Sequence, residues 1–174
     1  KINFNGRALA AATVYSLLGE KMLWDEVARG IFQGLQRLVV DRGDFAYMPK
    51  TVFDHDEAAS TSEAPPRGIL ASFAGWPAQG MVQFARVTGD ERALELGGKL
   101  FRYILHHGDY FDREGRWLVD IPDAAPEHQR YGAVHFHNHT LVLHGSLLYA
   151  QLAGDKQMLD YVVENYEYAK SIGE

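Results

Sequence analysis

Four of the chain's eight histidines fall in one stretch, YGAVHFHNHTLVLH at 131–144: His135, His137, His139 and His144. A neutral imidazole offers one hydrogen-bond donor and one acceptor and titrates near neutral pH. Such a cluster can grip hydroxyl groups, move protons or ligate a metal. If residues 134–139 run extended, successive side chains alternate, and His135, His137 and His139 share one face. His137 and His139 are then the expected hydroxyl ligands and acid–base groups, with His135 as a further substrate contact. The spacing demands no cofactor. The alternative is zinc on the His135/His137 pair, with a third ligand among Asp54, His55, Asp56 or Glu57. The purely structural reading has Asn138 or Thr140 capping a helix while the imidazoles bond loop carbonyls, and His144, in an apolar run, serving as a core histidine.

A second cluster opens at SFAGWPAQG, residues 72–80. Pro77 suits the first turn of a helix, where its missing N–H costs nothing. Trp76 then stands at the mouth of that helix with an indole face for a sugar ring, and Gln79 lies one turn further in. Asn5 and Arg7 hold the comparable place on an earlier helix. Arg7 can take a carboxylate bidentately or form a surface ion pair. Glycoside hydrolysis needs two carboxyl groups, ~5–5.5 Å apart when retaining and ~6.5–9.5 Å when inverting. Asp44, Asp54, Asp56, Glu57, Asp109, Asp112, Asp120, Asp123 and Glu127 all sit between the helical runs, and spacing selects no pair. Asp54, beside His55, is the expected catalytic carboxylate.

The elements that must position these groups follow from a repeated pattern. VYSLLGEKMLWDEVARGIFQGL, VQFARVTGDERALELGGKLFRYIL and LLYAQLAGDKQMLDYVVENYEYAK each run from an apolar helical segment through Gly and an acid into an amphipathic segment. Glycine ends a helix in the left-handed conformation, and Asp90 and Asp155 are natural N-caps for the helices that follow. The pattern predicts an all-α chain of αα-hairpins at about 6–40, 76–107 and 139–172 within a single 1–174 domain. Each hairpin pairs a buried inner helix with an amphipathic outer one. Two long connections, 41–75 and 108–138, join outer to inner helices at the end opposite the turns, and the second carries a small β-hairpin in YFDREGRWLVD.

Composition narrows the partners. With 47% hydrophobic and 23% charged residues the chain is suited to a packed core. A net charge of −6 argues against nucleic acid, and no apolar run reaches the ~18 residues of a membrane span. The absence of cysteine removes disulfides and thiolate chemistry from these residues.

The stretches GWPAQGMVQFARVTGDERALELGGKLFRYIL and HFHNHTLVLHGSLLYAQLAGDKQMLDYVVENYEYAK, with their Gly-Asp hinges, resemble the (α/α)6 toroid of the six-hairpin glycosidases, most closely the β-L-arabinofuranosidase-like branch. The resemblance covers about residues 6–172 and implies a carbohydrate-active protein, with glycoside hydrolysis as the expected activity and sugar bound at the mouth of the inner helices. A non-catalytic helical-repeat binding module and a polysaccharide lyase or epimerase, using His137 or Tyr131 as base and Arg7 to neutralise a uronate, are the other activities the scaffold allows. The cysteine nucleophile and cysteine-bound zinc of that branch have no counterpart here. Three hairpins are also half of such a ring, so the expectation is part of a toroid, completed by further chain or by a homo-oligomer.

Overall fold

The hinge glycines divide the chain as their chemistry requires. In the computed structural model, which describes residues 2–19, 21–49, 65–112, 114–117 and 136–172, α4 (Gly75–Thr88) ends where Gly89 turns left-handed at φ 74°. The Asp90 carboxylate then accepts the Ala93 N–H at 2.9 Å to start α5 (Glu91–His106). The same device separates α6 (Phe136–Ala153) from α7 (Lys156–Ile172), with Gly154 at φ 69° and Asp155 accepting from Met158 N at 3.0 Å. Each cap supplies one of the N–H partners that a helix start leaves unsatisfied. The first pair, α1 (Ile2–Leu18) and α2 (Lys21–Gln36), is joined just as tightly.

Helices α1, α4 and α6 lie side by side, each packed against the helix that follows it, and α5 also braces α6. The amphipathic pattern of α5 puts Ala93, Leu96, Leu100, Phe101 and Ile104 inside. Glycines set how closely the inner helices approach: Gly6 of α1 lies on the Trp76–Pro77 backbone, and Gly80 of α4 faces the Gly6 carbonyl. One expectation for the inner layer is overturned. A helix apolar on nearly all sides should be buried on nearly all sides, yet α1 exposes Val14, Leu17 and Leu18, because among the described residues its main contacts are with α2 and α4.

The described part of the first long connection holds three further elements before α4. Strands β1 (Val40–Asp41) and β2 (Ala46–Tyr47) form an antiparallel pair not anticipated from the sequence, followed by a short helix, α3 (Ile69–Ser72). Of the hairpin expected in the second connection, the described residues hold one antiparallel bridge, Phe111 to Trp117, closed by Asp112, whose carboxylate accepts from Glu114 N and Arg116 N. The two connections meet: Gly68 N donates to Gly108 O, Arg67 pairs with Asp109 at 3.2 Å, and Phe45 stacks on His107. Whether their middle parts enclose a basin lies outside the described residues.

Lys99 ties the first connection to α5. Its side chain, only 13% exposed, bonds Asp41 at 3.0 Å and Glu95 at 2.7 Å. Hydrogen bonds from Lys99 and Arg92 hold the Glu95 carboxyl below its ordinary value. A carboxyl depressed in the folded state contributes stability above its unfolded value and loses it as pH falls through the folded one. Lys99→Met should therefore cost about 0.5–1 kcal/mol at neutral pH. It should also flatten the loss of stability on acidification below the normal carboxylate range, read by urea unfolding at stepped pH.

Candidate functional site

Helix α4 buries Gly75, Ala78, Met81, Val82 and Phe84, which leaves Trp76, Gln79 and Gln83 as a partly exposed stripe at spacings of three and four. Helix α6 leaves a parallel stripe at His137, Thr140 and His144. The inner layer joins these stripes through two contacts. The Arg7 guanidinium of α1 lies 3.8 Å over the Trp76 ring, a cation–π contact that orients the indole and places N–H donors beside it. Gln79 Nε2 lies 3.0 Å from His144 Nδ1. With the Gln79 amide donating, His144 keeps its proton on Nε2 and presents a further donor. The inner helices α1, α4 and α6 contain two arginines, Arg7 and Arg86, and no Asp or Glu. A band of indole, guanidinium, amide and imidazole with no carboxylate suits hydroxyl groups or an anionic sugar.

The histidines are distributed differently from the expected alternation, because the helix already begins at Phe136 and its period is 3.6, not 2. His137 lies exposed in the first turn. His139 is fully buried, stacked between Tyr110 at 3.9 Å and Trp117 at 4.4 Å, with Phe111 edge-on. Its Nδ1 is 3.0 Å from the Tyr110 hydroxyl, and burial pushes that phenol's pKa up. Its ring neighbours, all from the second connection, enclose it in the core, whereas Trp76 and His144 reach the surface. The expected caps also differ. Asn138 is buried and donates to Ser72 Oγ, and Thr140 bonds the Phe136 and His137 carbonyls behind it. His144, expected in the core, is instead exposed and paired with Gln79. The sequence did hold a signal for that pairing: Gln79 and His144 are separated by the same 65 residues as the hinges Gly89 and Gly154.

Asp54, the expected catalytic carboxylate, and His135, of the zinc alternative with His137, lie outside the described residues. Among the described residues no cluster of three or more His, Asp or Glu side chains forms a metal site. Of the described carboxylate candidates, Asp109 pairs with Arg67 and Asp112 holds its own turn.

Among the described residues, an apolar groove of 870 Å3 runs along α6 and α7, lined by Trp117, Phe136, Leu143, Val163 and Tyr166 together with Thr140 and His144. Fold and site together define a helical protein of packed hairpins with a small antiparallel β-ribbon. Among the described residues no helix is long and apolar enough to cross a membrane. No family model, curated protein or solved structure matches the chain.

Proposed function

We propose that this chain is a carbohydrate-active protein, part of an (α/α)6 toroid, that binds sugar on the band formed by Arg7, Trp76, Gln79 and His144. The observation that carries the reading is the convergence of these four side chains from three separate inner helices, in two direct contacts. Aromatic surface for a ring face beside paired donors and acceptors is the composition a polyhydroxylated ligand requires. The carboxylate-free inner layer favours acidic sugars alongside neutral ones, with Arg7 as the charged partner. Hydrolysis, as an extension of this reading, draws its carboxyl pair from the connections, with Asp54 as a catalytic carboxylate and His137, exposed in the first turn of α6, as an acid–base group.

Titration calorimetry against neutral and uronic oligosaccharides tests the binding. Trp76→Ala should weaken it by about 1.5–3 kcal/mol, roughly 10- to 150-fold, and Gln79→Ala about tenfold through the lost hydrogen bonds. Absence of heat with every sugar, or a Trp76→Ala protein that binds like the parent, refutes the reading. Asp54→Asn that keeps binding but releases no reducing ends from a cleaved ligand would assign the hydrolytic step.

A further inference from the structure

We infer that Gln79 is a positioning residue: it fixes the proton of His144 on Nε2, making this imidazole a dedicated donor that favours a sugar carboxylate over a neutral hydroxyl. The choice of ligand rests on the sugar-binding reading, whereas the place of the proton is a property of the protein alone. An amide nitrogen carries N–H groups and can only donate. Gln79 Nε2 lies 3.0 Å from His144 Nδ1. Nδ1 is therefore the bare nitrogen and Nε2 the protonated one, since the bond made at one ring nitrogen sets the state of the other. Among the described residues His144 makes no other hydrogen bond, and it is exposed.

Backbone packing sets the pair. A Cβ added at Gly145, the neighbour of His144, would lie 3.4 Å from the Gln79 Cβ and closer still to the Phe101 ring. The α6 backbone thus rests against the stem of Gln79 and keeps the two side chains in register. Helix α6 carries no Asp, Glu, Lys or Arg, and α4 carries only Arg86, near its C-terminal end. From α7, Glu167 and Lys170 line the same groove as His144 but pair with each other at 2.8 Å. A hydroxyl group both donates and accepts, so an imidazole free to exchange its proton serves it either way. A carboxylate only accepts. The Arg7 guanidinium over Trp76 and the Nε2–H of His144, beside Gln79 one turn further along α4, are both donors. Bonds from such donors to a charged acceptor are the stronger kind.

The test begins with the isotope-labelled wild-type chain without sugar. Proton–nitrogen NMR correlation across two bonds, at about pH 8 where ordinary imidazoles are neutral, should show His144 Nδ1 unprotonated and Nε2 protonated. The signals are assigned by their loss in His144→Asn. In Gln79→Glu the carboxylate only accepts, so the proton should move to Nδ1. Titration calorimetry then compares a uronic oligosaccharide with its neutral counterpart. The wild type should prefer the uronic sugar about tenfold; Gln79→Glu should weaken that sugar about 100-fold and the neutral one no more than about tenfold. In Gln79→Met, which adds no charge, the nitrogen shifts should move toward a mixture of tautomers and the preference should fall toward parity. A wild type with Nδ1 protonated, or nitrogen shifts unchanged in Gln79→Met, overturns the inference whatever the sugars do. Equal affinity of the wild type for both sugars overturns the selection. The expected shifts with no heat from any sugar would confirm the fixed proton and refute the sugar reading, and the selection with it.

Discussion

Gly6→Ala is expected to cost about 3 kcal/mol of folding stability, at the upper end of overpacking penalties. The added methyl would lie 2.5 Å from the Trp76 carbonyl oxygen and nearer still to other backbone atoms of Trp76 and Pro77. Heavy atoms rest at about 3.5–4.0 Å, and backbone inside a helix cannot swing aside as a side-chain tip can. The reciprocal position behaves alike, since a Cβ on Gly80 would lie 2.6 Å from the Gly6 carbonyl oxygen. Substitution must drive α1 off α4, which also carries Arg7 away from the Trp76 ring, so under the proposed function sugar affinity should fall together with stability. Gly34→Ala is the internal control. Gly34 lies exposed within α2, and a Cβ there meets nothing within 4 Å. Removing its backbone freedom should stabilise the protein by about 0.5–1 kcal/mol. Urea unfolding followed by circular dichroism reads both as opposite shifts in midpoint. A Gly6→Ala protein as stable as the parent would show that the two inner helices do not approach this closely.

His139→Ala should be nearly as damaging, at about 3 kcal/mol. The imidazole fills the space between the Tyr110 and Trp117 rings, and its loss leaves a cavity there and deprives the buried Tyr110 hydroxyl of its Nδ1 partner. His139→Phe separates the two contributions: it restores the stacked ring but not the hydrogen bond. About 0.5–1.5 kcal/mol of the loss should persist, the worth of the one hydrogen bond removed, since Ser72 remains a hydrogen-bond partner of the Tyr110 hydroxyl. Under the proposed function both proteins, once folded, should bind sugar like the parent, because His139 is fully buried whereas Trp76, Gln79 and His144 are at least partly exposed. Full stability with lost activity in His139→Ala would instead return this residue to the acid–base role that its place in the histidine cluster suggests.

These two sites also mark the border between what was readable in the chain and what was not. The hinges were readable. Gly89 with Asp90 and Gly154 with Asp155 act within a few residues, through a left-handed glycine and a carboxylate bonded to an N–H three residues on, so local sequence suffices. The division into paired helices followed, as did the amphipathic faces of the outer helices. The place of Trp76 and Gln79 at the start of α4, partly exposed, was readable too, because a helix start and its first turn are local features that put side chains on a predictable stripe.

The fates of the histidines were decided by tertiary structure. Extending α6 back to Phe136 exchanges a two-residue period for a helical one, and with it separates His139 from His137. The aromatic residues that then enclose His139 come from Tyr110, Phe111 and Trp117, more than twenty residues upstream. Likewise, the bond between Gln79 and His144 exists only because two helices 65 residues apart lie side by side. The β1–β2 ribbon depends on the same kind of support, with Tyr47 against Tyr103 and Asp41 on Lys99 of α5. By itself the sequence determined the turns, the helices and their polar and apolar faces, since each rests on bonds closed within a few residues. The packing of those faces decided which side chains meet solvent, which meet one another and which become core, since burial and long-range contact are properties of the assembled layers.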